Sequence, residues 1–281
     1  MCELFGFTSS NPKEINNYLK TFYSHCDEHP HGWGLSILDD DNYCLVKEPV
    51  KADESETLKR ILSSPVVGKN IFAHIRLATM GKLKKVNTHP FVEKDSYDRD
   101  WTLIHNGTIF DFPELSDYDD VGCGDTDSEK ILCYFVDKVN ELEKDLGRKS
   151  SLEERFNLIN DLVAAMAKDN KLNFLLCDGE QIYVHINCQC LLQYLKDAES
   201  IVFSTKAISD DMFWQPFPLN TLMSFKDGRL LFKGTSHGQE FIPTAEQISG
   251  LFEFTKALHE ETGEPLDFDL KELENIGDRF L

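Results

Sequence analysis

Residues 126–139 read TDSEKILCYFVDKV, and the reading of this stretch decides the fold. Thr126 with Glu129 three positions on is a capping-box pattern. Behind it Ile131, Leu132, Phe135, Val136 and Val139 recur at helical spacing. A second apolar stripe, Phe156, Ile159, Leu162, Val163 and Met166, predicts another helix over roughly 151–168. Two long helices therefore stand together in the middle of the chain.

Working outward from them, both flanks read as strands. On the N-terminal side these are residues 2–8, LSILD, YCLVKE, NIFAHIRLAT and DWTLIHNGTI; on the C-terminal side they are NFLLCDG, IYVHI, SIVFST, TLMSF and RLLFKG. Asn106-Gly107, Asp178-Gly179 and Asp227-Gly228 carry turn signals. Asn11-Pro12-Lys13-Glu14 predicts the start of a helix running to about Tyr23, and Asp53 with Glu56 a short one through Leu62. Strands, then helices, then strands again is not the alternation of a parallel doubly wound sheet. It predicts an α+β fold of two mainly antiparallel sheets with helices outside them. Residues 2–236 form this unit, and residues 237–281 form an acidic, helical extension with 11 acidic and 3 basic residues.

The chain has 281 residues, 41% of them hydrophobic, enough for a large core. Its formal net charge is -20, which repels phosphate backbones and anionic lipid, so neither nucleic acid nor a membrane surface is an expected partner. No run approaches the length of a membrane helix, and the N-terminus lacks a signal-peptide pattern. The eight scattered cysteines fit a reducing cytoplasm. Cys188-Gln189-Cys190 has no second ligand pair, and no metal or cofactor is expected.

The candidate chemistry starts at Cys2. Removal of Met1 would leave a thiol and a free α-amine on one residue, the amine having a reference pKa of about 7.7–8.0. A nucleophile with its own base is the logic of N-terminal-nucleophile enzymes, although buried cysteines are commonplace. Arg76 and Thr79 end the strand AHIRLAT, where a guanidinium can clamp a carboxylate. Asn106 and Gly107 can supply a side-chain and a main-chain N–H to an oxyanion. Asp127 at a helix start suits an ammonium, or serves as a simple cap.

Together these motifs resemble the class II glutamine amidotransferases, closest to their small stand-alone members. MCEL, HGWG, AHIR, NTHPF and HNG occur in that order, and the likeness spans about residues 2–235. The resemblance implies the αββα sandwich of N-terminal-nucleophile hydrolases. It also implies roles: Cys2 attacks the glutamine side-chain amide, Asn106 and Gly107 stabilise the oxyanion, Arg76 and Thr79 bind the α-carboxylate, and Asp127 binds the α-ammonium. Leu77 and Met80 stand where the synthase members carry tryptophan and histidine, so Trp33, His31 and His89 become candidates for the pocket wall, His89 more as a structural than an acid–base residue. Three outcomes stay open. The chain hydrolyses glutamine, with ammonia passing to a separate acceptor protein if it is used; it cleaves another γ-glutamyl compound; or it is a non-catalytic regulatory subunit.

Overall fold

The structure, a computed structural model, describes residues 2–39, 43–189 and 191–262. The N-terminal part runs β1 (Glu3–Glu14), α1 (Asn16–Tyr23), β2 (Trp33–Ile37), β3 (Cys44–Glu48), α2 (Glu56–Leu62), β4 (Val67–Ile75), β5 (Phe91–Lys94) and β6 (Asp100–His105). The two central helices are α3 (Asp127–Leu146) and α4 (Leu152–Met166). Strands return as β7 (Phe174–Cys177), β8 (Ile182–His185), β9 (Gln193–Lys196), β10 (Ser200–Ser204), β11 (Gln215–Pro216), β12 (Met223–Lys226) and β13 (Arg229–Lys233), and α5 (Ala245–Thr262) follows.

The strands form two sheets. One has the order β11-β9-β10-β1-β4-β2-β3 and the other β13-β12-β8-β7-β6-β5, and every pairing is antiparallel. Three apolar layers hold the stack. Leu19, Phe22 and Tyr23 of α1 pack on Phe5, Phe7 and Ile71 of the first sheet. Leu4, Phe72, Ile104, Leu175 and Phe203 fill the space between the sheets. Ile131, Phe135 and Val139 of α3, with Ile159 and Val163 of α4, pack on Leu103, Phe174 and Leu176 of the second sheet. The result is α–β–β–α, as the element order predicts. β1 is apolar on both faces because both are covered, which is why it reads as a continuous buried run.

Three local expectations are corrected. Asn11-Pro12-Lys13-Glu14 does not open a helix but completes β1, whose register against β4 shifts between Thr8 and Lys13. Pro12 lies in that irregular stretch, where its missing N–H costs the ladder nothing. Helix α1 begins at Asn16, whose amide donates to the carbonyls of Leu62 and Ser64 and accepts from the Val66 N–H. Helix α2 is capped by Ser55, which accepts from the Leu58 N–H, rather than by Asp53. Asn106-Gly107 makes no hairpin, since β6 pairs with β5 and with the distant β7.

Beyond β13 the chain returns along the sandwich. The N–H groups of Gly234, His237 and Phe241 donate to the carbonyls of Leu222, Asn220 and Asn187. Phe241 stacks on Phe110, so the first residues of the expected extension are stitched to the sandwich before α5 begins. Residues 263–281 of that extension lie outside the described residues.

Candidate active site

Cys2 directly precedes β1, a central strand of its sheet. Antiparallel β4 sets Ile75 opposite Glu3, and β2 sets Trp33 opposite the same Ile75. Arg76 and His31-Gly32 therefore reach the sheet end at which Cys2 sits. The other sheet delivers Asn106 and Gly107 from the end of β6. The sheets are tied here by His74, whose Nε2–H donates to the His105 carbonyl at 3.3 Å. The Cys2 thiol donates to the Leu77 carbonyl at 3.3 Å, and Asn106 Nδ2 donates to the Cys2 carbonyl at 2.6 Å.

Every polar group of Asn106 is engaged. Its N–H donates to the Asn173 carbonyl at 2.8 Å, and its own carbonyl accepts from Asn173 Nδ2 at 2.8 Å. Its Oδ1 accepts from Lys171 Nζ at 3.1 Å. Gly107 is there for close approach rather than for an unusual backbone angle: a Cβ would stand 2.0 Å from the Lys171 carbonyl oxygen and 2.2 Å from His105 Nε2. Lys171 and Asn173 were not among the residues read from sequence. The one signal for them is a charged and an amide residue in KLN, immediately before a fully apolar strand.

Arg76 is 3% exposed. Its guanidinium donates to the carbonyls of Met80, Gly81 and Lys82 at 2.8, 3.4 and 3.2 Å, and so folds the segment behind Thr79 around itself. Burial lowers its proton affinity, while Cys2, Asp125 and Asp127 raise it, which places thiol and carboxylates around one cation. Asn87, the first residue of NTHPF, links the surrounding loops. Its Nδ2 donates to the Lys82 carbonyl and to Asp125, and its Oδ1 accepts from the Asp125 N–H. His31 secures the start of the segment, since its Nδ1 accepts from the Ala78 N–H at 2.8 Å and its N–H donates to the Arg76 carbonyl. Thr79 is half-buried in the same segment.

Asp127 is the first residue of α3 and Thr126 is the cap, accepting from the Glu129 N–H. The Asp127 carboxylate accepts from the Ile109 N–H at 2.9 Å and from Ser128 Oγ at 3.3 Å. Since the Ser128 hydroxyl donates to Asp127, it accepts from His105 Nδ1 at 3.0 Å. Burial depresses the His105 pKa, with the Asp127 charge opposing it.

Trp33 does not line a pocket. Its indole is fully buried in the helix-facing core, edge-on to Tyr23 at 6.0 Å. The His89 ring lies tilted against His74 with centroids 4.1 Å apart and meets Phe91 edge-on at 4.6 Å. Burial holds its pKa well below the usual value, so it packs as a neutral ring. The NTHPF loop reaches this place because residue 34 is glycine: a Cβ there would sit 2.0 Å from the His89 carbonyl oxygen. Among the described residues, Glu3, Glu28 and His29 approach one another as metal ligands do. The Lys206 ammonium already bridges the two carboxylates at 2.9 Å each. Among the described residues, no helix is long and apolar enough to cross a membrane.

The arrangement therefore gathers a thiol, an amide donor, a buried guanidinium and a helix-start carboxylate from four distant segments. The family model "Glutamine amidotransferases class-II" matches residues 1–200. This chain belongs to the class II glutamine amidotransferase family. An uncharacterized protein of Methanocaldococcus jannaschii is 26% identical over 258 residues, covering 83% of this chain and 71% of that one. The crystal structure of a "predicted glutamine amidotransferase" from Pseudomonas aeruginosa superposes with a TM-score of 0.57 at 19% identity, covering 82% of this chain and all of that one. Glutamine phosphoribosylpyrophosphate amidotransferase from B. subtilis gives a TM-score of 0.60 at 16% identity over 82% of this chain, which spans only 48% of that larger protein. These likenesses show that the two-sheet sandwich is the fold of solved amidotransferase structures.

Proposed function

We propose that this chain hydrolyses the side-chain amide of glutamine, with Cys2 as nucleophile once Met1 has been removed. The α-amine of Cys2 takes the thiol proton, directly or through a water, and sulfur attacks the amide carbon. Asn106 Nδ2 carries two hydrogens; one is held by the Cys2 carbonyl and the other, with the Gly107 N–H, meets the developing oxyanion. The ammonium formed from the α-amine returns its proton to the leaving nitrogen. Ammonia departs, a γ-glutamyl thioester remains, and water releases glutamate.

Arg76, aided by Thr79, takes the substrate α-carboxylate, and Asp127 takes the α-ammonium. A buried guanidinium and a buried carboxylate that share one field suit a zwitterionic head group, and a substrate lacking either charge would forfeit one of the two charge-assisted contacts. The observation that supports the reading is the 2.6 Å bond from the Asn106 amide to the Cys2 carbonyl, which brings a side-chain amide to the residue that carries the thiol.

The test is ammonia and glutamate release by the full chain, processed to Cys2, against Cys2→Ala. Glutamine and γ-glutamyl dipeptides are compared in parallel. The reading predicts turnover of glutamine that the alanine variant lacks. Turnover of the dipeptides alone would move the leaving group from ammonia to an amine, and no turnover of either would overturn the reading.

A further inference from the structure

Lys171 is buried to 8% exposure at the junction between Asn106-Gly107 and β7. Its backbone forms a bridge with Thr108, donating to and accepting from it at 3.1 and 2.9 Å. Its carbonyl closes the space over Gly107. Its side chain then turns back so that Nζ reaches Asn106 Oδ1 at 3.1 Å. Burying an ammonium is costly, and a methionine would fill similar space without that cost. Burial indeed lowers the proton affinity of Lys171, whereas the thiols of Cys188 and Cys2 favour its charged form.

The Asn106 amide sits between two groups that permit only one orientation. The Cys2 carbonyl accepts and the Lys171 ammonium donates. A flipped amide would set NH₂ against NH₃⁺ and oxygen against oxygen. A cationic donor on Oδ1 also withdraws electron density from the amide, which makes its N–H groups stronger donors.

We propose that Lys171 is a positioning residue of the oxyanion site, fixing the Asn106 amide with its N–H groups toward Cys2 and strengthening the bonds they donate. The inference rests on the glutamine-hydrolysis reading above. It assigns Lys171 to stabilising the transition state and not to binding the head group, which Arg76 and Asp127 serve.

The experiment is a double-mutant cycle on the full chain processed to Cys2: wild type, Lys171→Met, Asn106→Ala and both together, by steady-state glutamine hydrolysis. Lys171→Met lowers kcat about 10- to 100-fold while KM stays within about 3-fold. In the Asn106→Ala background the same change costs less than about 2-fold, because its route to the oxyanion is gone. Wild-type kinetics in Lys171→Met, a loss confined to KM, or a full loss persisting without Asn106 would each overturn the proposal. If melting shows Lys171→Met to be unfolded, Lys171→Gln, which keeps a donor and drops the charge, is taken through the same cycle; it lowers kcat about 3- to 10-fold because only the charge assistance is lost, and wild-type kcat or a loss that persists without Asn106 overturns the proposal. A wild type without turnover of glutamine or γ-glutamyl dipeptides overturns the underlying reading as well; normal wild-type turnover with an unaffected variant overturns this inference alone.

Discussion

The side-chain amide of Asn106 donates to the main-chain carbonyl of Cys2 at 2.6 Å across a separation of 104 residues. The bond ties the end of β6 in one sheet to the residue that precedes β1 in the other. Asn106→Ala is expected to lower kcat about 100- to 1,000-fold with little change in KM, as loss of an oxyanion donor does. Steady-state kinetics with glutamine checks this, and a loss confined to KM would place Asn106 in head-group binding.

Gly107 has no room for a side chain. A methyl group there would stand 2.0 Å from the Lys171 carbonyl and 2.2 Å from the His105 ring, both buried. Gly107→Ala should cost about 1–3 kcal/mol of stability through displaced backbone, and activity should fall further than stability accounts for. Urea unfolding and kinetics on the same preparation separate the two effects.

Arg76 shares its guanidinium among three carbonyls of residues 80–82. Lysine keeps the charge but not the planar fork, so Arg76→Lys should loosen that segment and raise KM for glutamine about 10- to 100-fold. Limited proteolysis at residues 80–85 is expected to accelerate in parallel. Unchanged KM would show that the guanidinium serves the loop alone.

Much of this was legible in the sequence, for physical reasons that differ by element. The α3 and α4 stripes were readable because each helix buries one face on one sheet. β1 was readable because both faces are covered. Its last residues are not legible, because Asn and Pro before a Glu imitate a helix start and only the β4 neighbour, more than 50 positions on, makes them a strand. The same separation hid Asn87, Lys171 and Asn173. Each is a buried polar residue whose partners lie 38 to 67 positions away, at Asp125, Asn106 and Asn106 again. Local pattern cannot reveal such pairings. The replacement of the synthases' tryptophan by Leu77 makes Trp33 a candidate for the pocket wall, whereas alternation along β2 points it into the helix-facing core.

The buried histidines set the acid side of the stability curve. Burial depresses the pKa of His74, His89 and His105, and that of His185 to about 3. These rings are neutral in the native state and take up protons when the chain unfolds below their unfolded value of about 6.5. Stability is therefore full above about pH 6.5 and falls as pH drops from there toward the folded values. Each ring contributes a slope of up to about 1.4 kcal/mol per pH unit. The urea midpoint should drop clearly between pH 7.5 and 5.0, where most carboxylates do not yet titrate; a flat profile would contradict the assignment.

The most direct test of the central claim is intact-mass and peptide mass spectrometry of the full chain after treatment with the glutamine-analogue electrophile diazo-oxo-norleucine. The account predicts that Met1 is absent, that one adduct forms on Cys2, and that Arg76→Ala or excess glutamine suppresses it. Retained Met1 with no adduct, or labelling of other cysteines while Cys2 is spared, would contradict it.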